Sequence, residues 1–436
     1  MNRFTSVMVF VLCVIPLAGR AEEVIRRGEL LTLGRCLEIS LVKNPAIVAA
    51  RNTVNVNESR VGQARSNYYP QVNWTSGYSR ISANAGSTRS TAAEGQILTS
   101  SGGSFNQYSS SASLNQNIFD FGRTSTQVQI SRLNFDSSRS DLENVTEQVI
   151  FTVKQAYFSV LQARRNREVA ADTVRQFEQH LAQAKGFFEV GTKPKFDVTK
   201  AEADLSNARL NLIKAENAVR LAMVSLNNAM GVTDAPEFAI EDNLSYAQYG
   251  ITLDEALAKA NENRPDLFSL VAKRQAGESS VDLAKKNYYP VITGTAAYSW
   301  SGASFPLDHG WNVGATLTFP LFSGFLTKYQ VEEARANLSV LRANEESLRQ
   351  AVFLDVQQAY LTLREAEERV PTAELGVRQA QENFDIADGR YAAGVGSPIE
   401  VTDAEVLLVN AKTAYIQALY DHKVARARLE KAMGTR

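Results

Sequence analysis

The tetrapeptide Asn67-Tyr68-Tyr69-Pro70 returns 220 positions later as Asn287-Tyr288-Tyr289-Pro290, and the same displacement carries Thr32, Leu33, Leu37 and Pro45 onto Thr252, Leu253, Leu257 and Pro265. A second ungapped block, displaced by 203, pairs Ile118-Phe119 with Leu321-Phe322, Gln155-Ala156-Tyr157 with Gln358-Ala359-Tyr360, Gly191 with Gly394, and Ala229-Met230-Gly231 with Ala432-Met433-Gly434. A chain written twice builds two copies of one structural unit. The displacement changes within the Ser/Gly-rich stretches 81–107 and 301–310, so the halves differ in one loop, where length changes are tolerated. The expected organisation is a first repeat over 22–231, a connector over 232–250 packed on the outside, and a second repeat over 251–436. Each repeat should hold a helix, two strands, a long helix and a returning helix.

Residues 1–21 stand apart from the repeats. Asn2 and Arg3, the apolar run from Val7 to Leu17 and the small-residue pattern Gly19-Arg20-Ala21 read as a secretory signal peptide cleaved after Ala21. The apolar core is shorter than the roughly 20 residues of a membrane-spanning helix, and no other segment is apolar enough to cross as a helix. Val11 and Leu12 lack the small residue that a lipoprotein cleavage site needs before Cys13. Cleavage leaves Cys36 alone, so no intramolecular disulfide can form despite export. The net charge is -1, and losing Arg3 and Arg20 makes it slightly more acidic, too near neutrality to suggest a nucleic-acid partner.

From Thr124 to about Phe188 there is no proline, and apolar or small residues recur at Leu142, Val145, Val149, Val153, Ala156, Val160 and Ala163. Steps of three and four define one helical stripe, and at about 1.5 Å per residue the helix approaches 100 Å. Its counterpart runs from about Lys328 to Ala392, with a kink expected at Pro371. In the returning helix, Ala201, Leu205, Ala208, Leu212, Ala215, Val219, Ala222, Leu226 and Ala229 alternate steps of four and three. The second copy repeats this at Ala404, Leu408, Ala411, Tyr415, Ala418, Ala425, Leu429 and Ala432, with His422 in the polar slot. Sustained heptads mean coiled-coil packing, which a soluble coiled-coil rod would also show.

Between the helices, four segments alternate with period two, expected as strands over 69–80, 108–119, 289–300 and 311–322. Val72, Trp74, Ser76 and Tyr78 oppose Gln71, Asn73, Thr75 and Gly77; Tyr108, Ala112, Leu114 and Ile118 oppose Ser109, Ser111, Ser113, Asn115 and Asn117. Ile292, Ala296, Tyr298 and Trp300 oppose Thr293, Thr295 and Ser299; Trp311, Val313, Ala315, Leu317, Phe319 and Leu321 oppose Asn312, Gly314, Thr316 and Thr318. Aromatics near strand ends and uncharged polar residues on the other face match a transmembrane β-barrel. From Asn287 to Thr327 the sole charged residue is Asp308, whereas a soluble sandwich, which also alternates, rarely spares its solvent face so completely. Four strands cannot close on themselves, and unpaired edges in hydrocarbon cost several kcal/mol per backbone group. Two chains supply eight strands and three supply twelve; eight strands leave an interior nearly filled by side chains, so an open duct favours three.

The signal, the tandem halves, the paired Asn-Tyr-Tyr-Pro segments, Ile118-Phe119-Asp120-Phe121-Gly122, Leu321-Phe322-Ser323-Gly324, and the turns over 189–198 and 392–401 together resemble the TolC-like outer-membrane efflux protein family. The likeness covers nearly the whole mature chain. It implies a mainly α protein with a membrane β-barrel: a homotrimer with a twelve-stranded barrel in outer-membrane lipid and a long α-helical barrel crossing the periplasm. The implied function is a passive exit channel of a tripartite efflux pump or type I secretion system, with a periplasmic adaptor (membrane fusion) protein and an inner-membrane transporter as partners. The resemblance places adaptor docking at the tip turns Val190-Gly191-Thr192 and Gly394-Val395-Gly396. It places acidic rings of the periplasmic entrance at Glu400 and Asp403, one turn apart, and polar latch residues at Asp197 and Tyr391. Gly396 departs from the pattern, standing where a closing arginine would be expected. Glycine at a helix-to-helix turn and acid in a first helical turn also have purely local explanations.

Two other classes compete. An exported structural coiled-coil or adhesin-like protein without transport would show the same heptads. An enzyme would need more than His180, His309 and His422, and no Ser, Cys or metal-ligand cluster has usable spacing. Asp308-His309 reads as a solvated loop tip. No phosphate-cradling loop and no cofactor motif occur, so energy for transport must come from a partner. Drug efflux, metal efflux and type I protein secretion all stay open as cargo classes.

Overall fold

The computed structural model describes residues 25–83, 103–233 and 235–435. The predicted signal peptide and the centre of the first Ser/Gly-rich loop lie outside the described residues. In chain order the elements are β1 (Leu30–Leu31), α1 (Leu33–Lys43), α2 (Pro45–Arg65), β2 (Gln71–Ala83), β3 (Gly103–Phe119), α3 (Arg123–Glu189), α4 (Lys195–Met230), β4 (Ala239–Ile240), α5 (Leu253–Asn263), α6 (Pro265–Lys286), β5 (Val291–Gly302), β6 (Asp308–Thr318), α7 (Leu326–Ala392) and α8 (Pro398–Ala432). The internal repeat is literal in space: α3 and α7 both have 67 residues.

One difference from expectation has a local cause. The first helix of each half is broken, at Asn44 and Arg264, whose ψ angles of 123° and 119° are extended. Pro45 and Pro265 follow, and a proline bars its predecessor from the helical region. The long helix α7 continues through Pro371 as one element; the missing N–H removes one bond of its ladder, while Thr372 Oγ1 donates to Glu368 O at 3.0 Å.

β2, β3, β5 and β6 form one antiparallel sheet in that order. The register aligns Val72, Leu114, Ala296 and Val313 across the sheet, and next to them Trp74, Ala112, Tyr298 and Trp311. Asn73, Ser113, Ala297 and Asn312 line up on the opposite face. The alternation read from each segment therefore adds into one largely apolar face, crossed by the row Ser76, Ser110, Trp300 and His309, and one polar face. Rings gather at both ends of the apolar face: Trp74 meets Trp300 at 5.3 Å and Tyr78 meets Tyr108 at 5.1 Å, while Phe121 meets Phe119 at 4.7 Å and Tyr289 at 5.4 Å nearer the helices. Paired aromatic belts flanking an apolar band mark the two interfaces of a bilayer. Phe319 and Leu321 fall just beyond β6, so the fourth strand ends sooner than its alternation suggested. A bulge after Asn117 leaves Ile118 out of register. No described helix is long and apolar enough to cross a membrane.

Beyond the sheet the helices pack side by side in one layer. α3 packs against α2 and α6 near the sheet and against α4 and α8 farther away, and α7 closes the row against α6 and α8. The layer thus ends in α2 and α4 on one side and α7 on the other. Both returning-helix heptads face inward: Leu226, Leu408 and Leu429 are fully buried. Truncating such a leucine to alanine typically costs about 2–5 kcal/mol. The edge helices, in contrast, expose apolar rows of their own, Leu210, Ile213, Leu221 and Val224 on α4 and Val340, Leu354, Leu361 and Leu375 on α7.

Midway along the layer the connector is pinned to α3. β1 and β4 pair in parallel, Tyr157 donates its hydroxyl to Glu241 O at 2.6 Å, and Arg165 grips Asp242 through two bonds of 3.0 Å. In the second half Tyr249 N donates to Glu367 Oε1 at 2.8 Å and Arg364 reaches Ile251 O at 3.0 Å.

The periplasmic tip as candidate functional site

Farthest from the sheet, each long helix turns back on itself at a glycine. Gly191 has φ +76° and Gly394 φ +79°, a left-handed conformation that glycine adopts without strain. Thr192 closes the first turn with its backbone N–H and its hydroxyl, both donating to Phe187 O at 2.9 Å, and Pro194 then precedes α4. In the second turn Val395 and Gly396 both donate to Arg390 O, at 3.1 and 2.9 Å, and Ser397 Oγ caps α8 through Ile399 N at 3.2 Å. Val190 and Val395 project from these turns, each 71% exposed.

Gly396 differs from its neighbours. It is buried, and a Cβ there would lie 2.7 Å from Tyr391 N and 2.9 Å from Arg390 C. No side chain fits without moving backbone, so the missing arginine is a steric consequence of how this turn lies on α7. Two cations stand nearby instead. Arg390 pairs with Glu400 at 3.5 Å, with both side chains about half exposed, an arrangement that contributes little stability. Lys193 Nζ, from the first turn, donates to Gly396 O at 3.1 Å and sits 5.5 Å from the Tyr391 ring centroid.

Tyr391 is fully buried, with His180 at 4.7 Å and the edge of Phe187 at 5.7 Å. Asp197 is buried too. Burial, and then the Asp197 carboxylate, push the Tyr391 phenol up. The two residues expected as a latch are thus neighbours, but the Tyr391 hydroxyl has no hydrogen-bond partner among the described residues. Glu400 and Asp403 are exposed on the same side of α8.

One level deeper, Lys200 pairs with Asp204 at 2.7 Å, and Thr402 Oγ1 donates to the same carboxylate at 2.9 Å, joining α4 to α8. Glu405 is buried between α8 and α3, and burial pushes its carboxyl from 4.5 up to about 7. Burial acts oppositely on His180, lowering its imidazole, whose Nδ1 has no partner.

Over residues 36–232 and 256–435 the sequence matches the family described as Outer membrane efflux protein. The chain belongs to that family. This efflux protein is 24% identical to the outer membrane efflux protein BepC of Brucella suis over 430 residues, 95% of this chain and 89% of the relative. It is 23% identical to the outer membrane protein TolC of Vibrio cholerae over 390 residues, 86% of this chain and 84% of the relative. Its fold is that of the Campylobacter jejuni CmeC outer membrane channel, with a TM-score of 0.79 at 18% identity, covering 92% of this chain and 85% of that one. The relatives are channels rather than enzymes. This efflux protein is an outer-membrane channel protein whose helices extend into the periplasm.

Among the residues at the efflux protein's tip, the sequence singled out neither Lys193 nor Glu405, and marked His180 only as one of three histidines. Glu405 adjoins Ala404 of the heptad, and Val401 and Glu405 form a second buried row beside Ala404 and Leu408. That row was the available signal, because a helix packed on two neighbours needs two buried stripes. Lys193 offers no such signal; its partner is a backbone carbonyl 203 residues away.

Proposed function

We propose that three copies of the chain close edge to edge into one duct, a twelve-stranded barrel continued by a ring of helices, which carries cargo passively out of the cell. The carrying observation is the four-stranded sheet with a largely apolar face and both β2 and β6 unpaired on their outer sides, set on a helical layer whose edge helices expose apolar rows. In hydrocarbon each unpaired backbone group costs several kcal/mol, and joining β6 of one copy to β2 of the next removes every edge. The same step brings the rows of α7 against α4. Asn73, Thr75, Ser111, Ser113, Thr295 and Asn312, on the polar face, then line a water-filled lumen.

In this reading the barrel lies in outer-membrane lipid. The tip turns Val190, Gly191, Thr192, Gly394, Val395 and Gly396 form the docking surface of a periplasmic adaptor protein. An inner-membrane transporter bound through that adaptor supplies the energy, as expected of a tripartite pump or type I secretion system. Threefold symmetry gathers Glu400 and Asp403 into acidic rings at the entrance, a neck that attracts cations, with Arg390 moderating the first ring. Asp197 and Tyr391 contribute to the closed tip by packing rather than by a mutual hydrogen bond.

Native mass measurement of detergent-solubilised protein is expected to give a trimer, and planar bilayers holding it should conduct small ions. Trivalent cations added on the periplasmic side should block the current, and the double variant Glu400→Ala, Asp403→Ala should lose that block. A protein that stays single, or a block indifferent to both substitutions, would refute the duct or the rings respectively.

A further inference from the structure

We infer that Lys193 is the tie that holds the entrance of this protein shut, gripping the second tip turn by the Gly396 carbonyl and the Tyr391 ring. The inference deepens the exit-duct reading and rests on it. Lys193 belongs to the turn between α3 and α4, where its backbone N–H donates to Phe187 O at 3.3 Å and fixes the start of the side chain. That side chain then crosses to the other hairpin, where Nζ donates to Gly396 O at 3.1 Å. The acceptor is held rigidly, because Gly396 N donates to Arg390 O at 2.9 Å and the turn lies too close to α7 for any Cβ. A position that can carry no side chain presents its carbonyl, and the cation comes from the opposite turn.

The second contact ties the two hairpins to each other in the arrangement seen here. Tyr391 belongs to α7, but its buried ring is seated against His180 and Phe187 of α3, with the Lys193 ammonium 5.5 Å from its centroid. Among the described residues the tyrosine hydroxyl has no hydrogen-bond partner, and at the turns themselves the lysine makes the polar contact between the two hairpins. Thr402 on Asp204 provides the next link inward. Drawing the α7–α8 hairpin away from α3–α4 must break the bond to the carbonyl and pull the ring out from beneath the ammonium. A charge-assisted hydrogen bond together with a cation–π contact is worth about tenfold or more in such an equilibrium. Arginine at position 193 would keep both contacts, since a guanidinium donates to a carbonyl and stacks on an aromatic face.

The test compares full-length trimers of wild type, Lys193→Met, Lys193→Gln and Lys193→Arg in planar bilayers, with trimer melting followed in parallel. Lys193→Met and Lys193→Gln should raise the time-averaged conductance about tenfold at unchanged melting temperature, and Lys193→Arg should stay within about twofold of wild type. Wild-type conductance in both uncharged variants overturns the inference while leaving the duct intact. Loss of the trimer in both assigns the lysine to folding, and also overturns it. A wild-type protein that forms no trimer and conducts nothing refutes the duct reading itself.

Discussion

Gly231 and Gly434 end the two returning helices at φ +75° and +65°, and each lies against the helix break of its own repeat. A Cβ on Gly231 would fall 2.7 Å from Asn44 Cα, and one on Gly434 2.8 Å from Asn263 C. Around them Asn44 Nδ2 donates to Ala229 O at 2.9 Å and Arg264 to Ala432 O at 3.2 Å, equivalent residues doing equivalent work. Gly231→Ala combines left-handed strain with a backbone collision and is expected to cost about 2–4 kcal/mol. The control Gly250→Ala, with open space around it, should change stability by less than about 0.5 kcal/mol; chemical denaturation of the purified protein reads both. The pairing of these glycines was visible in the sequence as a repeat. The reason for it was not, because the colliding atoms come from a segment almost two hundred residues away.

At the scale of elements, α8 illustrates what a heptad conceals. Of its predicted row, Ala404, Leu408, Ala418, Ala425, Leu429 and Ala432 are buried and Ala411 and Tyr415 half-buried, but the helix also meets α3, and there it buries Glu405. The folded carboxyl holds its proton up to about pH 7, against 4.5 ordinarily. Its contribution is therefore most favourable below pH 4.5 and is lost as pH rises through 7, a span worth about 3 kcal/mol at most. The Lys412 charge and a hydrogen bond with the Thr173 side chain offset part of this by favouring the ionised form. His180 has the opposite sign: its lowered imidazole withdraws stability as pH falls below 6.5. Glu405→Gln removes the first effect alone. The variant should melt higher than wild type at pH 8, with the gap closing by pH 5; a constant gap would show that the carboxyl does not titrate there. No periodicity reveals such a group, since its environment is supplied by α3 rather than by α8.

For the whole molecule, the faces of the sheet decide which environment each side chain meets. Val313 and Asn312 are adjacent in β6 and lie on opposite faces. Val313→Arg should cost the assembled barrel about 2–4 kcal/mol, because it presents a charge to lipid at mid-strand. Asn312→Arg should leave the trimer's heat resistance intact and shift its ion selectivity toward anions. Gel mobility without boiling and reversal potentials in a salt gradient measure the two effects, and equal damage from both would refute the assignment of faces. The rows on α4 and α7 belong to this scale too. In one chain they are exposed apolar surface, and their burial requires a neighbour.

The tandem repeat, the two-sided sheet and the hairpin tips follow from the sequence alone. They depend on periodicity and on local backbone rules at Gly191 and Gly394, all of which act over a few residues. Only the tertiary structure decided why position 396 is bare, that Lys193 crosses to it, and that His180, Tyr391 and Glu405 share a buried seam. Those contacts join segments some two hundred residues apart, and the distance between two such segments is set by the packing of the helices between them.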